Sequence, residues 1–146
     1  MPSPENEAVV LSMWDSYDRD GLPGVLEWAA EDAEWRPYSA RQSVFRSTAD
    51  YRAYVEETMA EGIAVDSIRL GIWSRGDVVA VRGRLRVRQG RIVDDSRMYW
   101  VHRVCDGKVC WTASSPDLGA LLADVGLPGR GLTNEVFVAM HSAPPA

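Results

Sequence analysis

Apolar side chains in the first third of the chain recur at helical spacing. Val9, Val10, Met13, Trp14 and Tyr17 share one face of a segment that Ser3-Pro4-Glu5 opens with an N-cap residue, a first-turn proline and an early acid. This helix should end near Asp20-Gly21, and a short second one carries Leu22, Val25, Leu26 and Ala29 on one side. The segment from Ala33 to Tyr38 has strand character and meets Pro37, and the polar stretch from Ser39 to Arg46 reads as a loop. Ser47-Thr48-Ala49-Asp50 matches a capping box for a third helix, with Tyr51, Tyr54, Val55, Thr58 and Met59 on one stripe and Gly62 as its stop.

After Gly62 the period changes to about two residues. Ile68, Leu70 and Ile72 alternate with polar or small residues, Arg75-Gly76-Asp77 makes a turn, and Val79, Val81, Gly83, Leu85 and Val87 alternate with Ala80 and four arginines. A two-residue loop at Gln89-Gly90 opposes Val87 to Ile92, Leu85 to Asp94, Gly83 to Ser96, Val81 to Met98 and Val79 to Trp100, which collects the apolar positions on one face. On the other face it pairs Arg84 with Asp95, Arg82 with Arg97 and Ala80 with Tyr99. A second turn at Asp106-Gly107 opposes Val104 to Val109, His102 to Trp111, Trp100 to Ala113 and Met98 to Ser115. Ser115-Pro116-Asp117 then caps a short helix, Leu118 to Asp124. Residues 128–146, with an apolar run from Val136 to Met140, read as a partly ordered tail to a single domain over residues 1–127.

The order of these pieces resembles the SnoaL-like branch of the nuclear transport factor 2-like superfamily over roughly residues 5 to 127. The resemblance is carried by Ala8-Val9-Val10 leading to Asp20-Gly21-Leu22, by Ala30 to Trp35, by Phe45-Arg46-Ser47, by Gly76 to Val81, and by Asp106 to Val109 followed by the Leu118 to Leu127 helix. It implies an α+β fold in which a curved antiparallel sheet forms a cone and three N-terminal helices close an internal pocket. It also implies a range of activities, from ketosteroid isomerases, polyketide cyclases, dehydratases and epoxide hydrolases to non-catalytic binders, so fold leaves function open. The base of the isomerases falls at Arg36 or Pro37, their tyrosine at Met13 and their oxyanion carboxyl at Trp100. The acid-arginine-acid relay of the epoxide hydrolases has no counterpart, since Val78 to Val93 and Lys108 to Pro116 contain no carboxylate. SnoaL-type cyclases use an Asp on the last strand, where Ala113, Ser114 and Ser115 stand here; His102 could match the histidine some of them carry one strand back.

Composition narrows the classes further. With 146 residues, 46% hydrophobic and 25% charged, the chain is globular and large enough for one core. No apolar run approaches the ~20 residues of a membrane span, and the N-terminus lacks the basic and apolar regions of a signal peptide, so a cytoplasmic protein is expected. Cys105 and Cys110, placed as diagonal neighbours roughly 7 Å apart by the expected hairpin, are read as reduced thiols. No metal-ligand spacing and no glycine-rich phosphate loop occur, and no cofactor is expected. The net charge of −5 argues against general nucleic-acid binding, although Arg82, Arg84, Arg86, Arg88, Arg91, Arg97 and Arg103 cluster on the outer face of the meander. That stripe fits a solvated face or a homodimer contact through the sheet better than a polyanion site.

The candidate chemistry is acid-base. His102, expected to point inward beside Trp100 and Trp111, is either a general base or acid or a core histidine. Asp94, the inward carboxylate of the long strands, is either a proton acceptor or a residue of the solvated rim. Tyr17, with Tyr38 and Tyr54 on the elements that cap the cone, offers phenol donors to a carbonyl oxygen, with packing as the alternative. Arg36 beside Trp35 is either a clamp for an anionic group or a solvent-facing strand arginine. Met13, Trp14, Trp35, Tyr38, Tyr54, Met98, Trp100 and Trp111 are expected to line an apolar pocket. The expectation is thus a protein that binds a small hydrophobic molecule of polyketide, steroid or terpenoid type. It is either a cofactor-independent cyclase, isomerase or dehydratase, or a non-catalytic binding or accessory protein.

Overall fold

The computed structural model describes residues 2–38, 43–127 and 137–139. Three of the four described helices start on the expected caps: Ser3 Oγ accepts from Asn6 N–H before α1 (Pro4–Asp20), Ser47 Oγ from Asp50 N–H before α3 (Thr48–Ala60), and Asp117 from Ala120 N–H before α4 (Leu118–Asp124). Between and after them run α2 (Leu22–Leu26), β1 (Ala29–Arg36), β2 (Ile63–Arg75), β3 (Val78–Gln89), β4 (Ile92–Cys105), β5 (Lys108–Ser115) and β6 (Val138–Ala139). The strands form one sheet in the order β1-β5-β4-β3-β2-β6. The sheet is mixed rather than wholly antiparallel, because β1 runs parallel to β5. No hairpin links these two strands, so no tight turn fixes their direction.

Both hairpins depart from the expected register, with different consequences. The β3-β4 turn sits at Gly90-Arg91, where Gly90 has φ 61°, and pairs Gln89 with Ile92. Val87 therefore faces Asp94, Leu85 faces Ser96, Gly83 faces Met98, Val81 faces Trp100 and Arg84 faces Arg97, a slip of two residues. A slip of two keeps every side chain on its expected face. The β4-β5 turn has Asp106 and Gly107 at positive φ, and Cys105 opposes Lys108 as expected. Cys110, however, is an extra residue between the pairs Val104-Val109 and Arg103-Trp111. Beyond this bulge the register has moved by one, so His102 opposes Thr112, Trp100 opposes Ser114, and Trp111 and Ala113 turn to the outer face. The bulge also overturns the reading of reduced thiols: Cys105 and Cys110 lie 5.8 Å apart at Cα and are joined as a disulfide.

The sheet is covered on both sides, and β3 shows it directly: Val78, Val79, Ala80 and Val81 are buried in succession. Val79 and Val81 pack inward with Ile72, Val104 and Val109 against Val10, Met13 and Trp14 of α1. Val78 and Ala80 pack outward with Tyr99, Val101 and Ala113 against Leu118, Leu121 and Leu122 of α4 and against Phe137. Leu26, Ala33, Trp35, Tyr51 and Val55 tie α2, β1 and α3 into a third cluster at the side of the inner layer. Part of the expected tail belongs to the sheet, since Val138 and Ala139 pair with Ile72 and Gly71 of β2. A Cβ on Gly71 would stand 2.8 Å from Phe137 Cβ, so the glycine makes room for this closure. The rest of that tail, like residues 39–42 of the expected loop, lies outside the described residues. Among the described residues no helix is long and apolar enough to cross a membrane.

Candidate functional site

Among the described residues two cavities stand out, one on the inner side of the sheet and one around the end of β5 between inner-parity residues of β3 and β4 and the outer-face helix α4, and they differ greatly in size. The inner one, between α1, α2, α3 and the middle of the sheet, retains only about 70 Å3 and is lined by Met13, Trp14, Tyr17, Leu22, Val25, Trp35, Tyr51, Ser67, Trp100, His102 and Thr112. Indoles fill it. Trp14 meets Trp100 edge to face with centroids 4.9 Å apart, and Tyr51 stacks on Trp35 at 4.3 Å.

His102 is fixed in this packing at both ring nitrogens. Trp14 Nε1–H donates to Nε2 at 3.4 Å, which leaves Nδ1 to carry the proton and donate to Thr112 Oγ1 at 2.9 Å. With 2% of its surface exposed and no carboxylate bonded to it, the ring is held neutral, and burial pulls its pKa down to about 3. Such a group has no imidazolium proton to give near neutral pH and is a weak base. Tyr17 is similarly committed: its hydroxyl donates to the Val65 carbonyl at 3.2 Å and accepts from Ser67 N–H at 2.9 Å. Burial raises the Tyr17 phenol above its ordinary pKa, so it remains un-ionised.

The larger space is an open cleft of about 1060 Å3 at the far ends of β3 and β4. Its apolar surface comes from Pro37, Val44, Leu85, Val87, Ala113, Ala120 and Leu121, and its polar surface from Arg36, Tyr38, Ser43, Asp94, Ser96, Ser114, Ser115 and Asp124. Leu85, Val87, Asp94 and Ser96 reach it because they continue the inward parity of β3 and β4 beyond the end of β5, whose last pair with β4 is Ser115 with Tyr99. Tyr38 is held against this wall by its backbone N–H, which donates to Ser114 Oγ at 2.9 Å.

The expected site residues are therefore divided. His102, Tyr17, Met13, Trp14, Trp35 and Trp100 come together around the inner cavity, whereas Asp94 and Tyr38 line the cleft. Met98 is fully buried and borders neither space, and Tyr54 packs on Phe45 with centroids 5.0 Å apart. Trp111 corrects its expected place beside His102: the bulge turns it outward, where its Nε1–H donates to Glu34 Oε2 at 2.9 Å. That contact exposes a residue the sequence reading passed over. Glu34 also accepts from Arg36 Nε at 2.8 Å and Arg46 Nη1 at 3.2 Å. The Glu34-Trp35-Arg36 triplet, opposite charges two apart around a buried indole, was the available signal. Thr112 and the cleft serines carried none, because their roles depend on the bulge and on distant segments.

The arginine stripe does lie on the outer face. Asp95 accepts from Arg84 at 2.8 Å and Arg86 at 3.2 Å, and these bonds, Arg84's first, hold its carboxyl below the usual range. Among the described residues no group of three or more His, Cys, Asp or Glu side chains is placed to hold a metal.

No family model and no curated protein matches the chain. Solved structures do. A nuclear transport factor 2-like protein from Burkholderia pseudomallei is similar at 18% identity over 83% of this chain and 97% of its own, with a TM-score of 0.68. A candidate SnoaL-like polyketide cyclase from Mesorhizobium loti is similar at 14% identity over 75% of this chain and 97% of its own, with a TM-score of 0.64. A protein with a ketosteroid isomerase-like fold from Catenulispora acidiphila is similar at 16% identity over 82% of this chain and 93% of its own, with a TM-score of 0.60. With its three N-terminal helices on the inner side of a six-stranded sheet that does not close, the chain has the nuclear transport factor 2-like fold shared by these SnoaL-like and ketosteroid isomerase-like structures.

Proposed function

We propose that the protein binds a small, ring-bearing, largely apolar molecule in the open cleft rather than in the inner cavity. One observation carries this reading. The inner cavity retains about 70 Å3 while the cleft offers about 1060 Å3, and sites for small organic ligands usually run from ~300 to ~1,000 Å3. The cleft combines an apolar surface with a few hydroxyl, carboxylate and guanidinium groups, the usual division between affinity and orientation.

Calorimetric titration with polycyclic ketones, phenols and terpenoids tests it. Micromolar binding is expected for some of them, weakened at least tenfold in Val87→Trp, which puts an indole into the cleft, and retained in Trp100→Phe. A flat response across the panel overturns the reading, and so does binding that ignores Val87→Trp but disappears in Trp100→Phe.

A second reading, turnover by a cofactor-independent cyclase, isomerase or dehydratase, is favoured by one feature: Asp94 and Tyr38 border the same cleft. In it the Asp94 carboxylate takes a proton from the carbon beside a ligand carbonyl, and the electron pair moves onto the carbonyl oxygen. The Tyr38 hydroxyl hydrogen-bonds that oxygen, and protonated Asp94 returns the proton at another carbon. Asp94→Asn is then expected to lower turnover by ~10²- to 10⁴-fold at unchanged ligand affinity, and turnover that survives the substitution removes this reading while leaving binding intact.

A further inference from the structure

The wall of the cleft formed by β1 holds an arginine whose side chain is only partly used by the protein. Arg36 spends its Nε–H on Glu34 Oε2 at 2.8 Å, and its guanidinium carbon lies 6.0 Å from the centroid of the Trp111 ring. Glu34 is itself held, because the same carboxylate accepts from Trp111 Nε1–H and from Arg46. Arg36 is thus oriented from two sides, yet among the described residues its terminal nitrogens Nη1 and Nη2 have no hydrogen-bond partner. With 40% of the side chain exposed, Arg36 forms part of the cleft surface.

Charge follows the same direction. One carboxylate, Glu34, is shared between two guanidiniums, Arg36 and Arg46, so it does not fully neutralise the charge of Arg36. Among the described residues the other charged groups lining the cleft are Asp94 and Asp124. A pre-oriented guanidinium with its outer N–H groups unpaired matches a carboxylate or another ionised oxygen pair, which it can bind through two parallel bonds. An anionic group would be drawn to Arg36 and repelled by the two carboxylates.

We infer that the ligand of the cleft carries an acidic oxygen function, a carboxylate or an ionised phenol or enol, and that Arg36 holds it. This rests on the cleft being the ligand site. Glu34 and Trp111 are positioning residues: they aim the guanidinium and do not touch the ligand group.

The test uses matched acid and alcohol probes on one, two and three fused rings: benzoate and benzyl alcohol, 2-naphthoate and 2-naphthylmethanol, and 9-anthroate and 9-anthrylmethanol. Each pair is titrated by calorimetry into the wild-type chain, Arg36→Lys and Arg36→Met, with melting curves to confirm that the half-exposed variants fold. The wild-type protein is expected to prefer the acid of at least one pair by ~10-fold or more. Arg36→Met should bring that pair within about twofold and Arg36→Lys should keep part of the preference, because a lysine supplies the charge without the two parallel bonds. Equal binding of acid and alcohol by the wild type, or a preference that survives Arg36→Met, overturns the inference and leaves the cleft reading standing. Binding of none of the six probes overturns both.

Discussion

His102 Nδ1 lies 2.9 Å from Thr112 Oγ1, and the two residues face each other because Cys110 is an extra residue in β5. Without the bulge, Trp111 would stand opposite His102 and the imidazole would lose its acceptor. The consequence is a neutral histidine inside an aromatic layer, and this makes stability depend on pH. The unfolded ring titrates near its ordinary 6.5, whereas burial holds the folded ring down to about 3. Between those values the unfolded chain binds the proton and the folded chain does not, so the contribution of His102 to stability is complete above pH 6.5 and is lost as pH falls toward 3. Urea unfolding between pH 7 and pH 5 should show a His102-dependent slope approaching about 1.4 kcal/mol per unit, which His102→Gln flattens. Identical pH dependence in the two proteins would mean that the ring is not held neutral.

The same pair shows how far the sequence could be read. The period-two pattern identified β2, β3, β4 and β5 and put His102 on the inner face, where it is found. It survived a wrong turn, because moving the β3-β4 loop from Gln89-Gly90 to Gly90-Arg91 shifts the pairing by an even number. It could not survive the odd shift at Cys110, since no residue type there announces a bulge, and with that shift went the positions of Trp111 and Thr112 and the disulfide. The cleft was legible only in Asp94, Tyr38 and Arg36. Its other walls join β3, β5, α4 and the segment after β1, which meet only in the folded chain.

Gly83 is a position where backbone, rather than conformation, demands glycine. β2 slips against β3 between the pairs Arg69-Gly83 and Gly71-Arg82, and this brings the Ile68 carbonyl over Gly83. A Cβ there would lie 1.9 Å from that oxygen and 3.1 Å from Trp100 Cζ3. The obstacle is strand backbone, so relief requires breaking the β2-β3 pairing nearby. Gly83→Ala should cost ~3 kcal/mol or more in denaturant unfolding, well above the ~1 kcal/mol typical of single substitutions. A cost below about 1 kcal/mol would show that the two strands separate easily at this point.

The asymmetry of the Arg69 ion pairs gives another test. The Arg69 side chain is 6% exposed and bonds Asp15 at 2.6 Å and Asp18 at 3.1 Å, whereas the Asp15 side chain is 66% exposed. Removing the arginine leaves Asp15, which water solvates, and Asp18, which is 27% exposed; removing the acids takes both of these carboxylates from a buried cation. Asp15→Ala with Asp18→Ala should therefore cost more than Arg69→Met, with ~3 to 5 kcal/mol expected for the double variant. The reverse order in urea unfolding would place the worth of this contact in the arginine's packing instead of its charge.

The disulfide closes a short loop, and its contribution should be correspondingly small. Cys105 and Cys110 are five positions apart, with the Asp106-Gly107 turn between them already set by positive φ at both residues. Loop-closure entropy for so few residues gives at most about 2 kcal/mol, and a turn that is already favourable reduces the gain further. Replacing both cysteines with alanine, or adding dithiothreitol, should lower unfolding stability by no more than that amount. Neither treatment should move Thr112 away from His102, because Val109 is buried on the inner face and Ala113, four residues on, on the outer face, an arrangement that itself requires the odd shift of the bulge without the sulfur bridge. Loss of the flattened pH slope that distinguishes His102→Gln from the parent, once both are placed in the cysteine-free background, would show instead that the bridge holds the bulge in place.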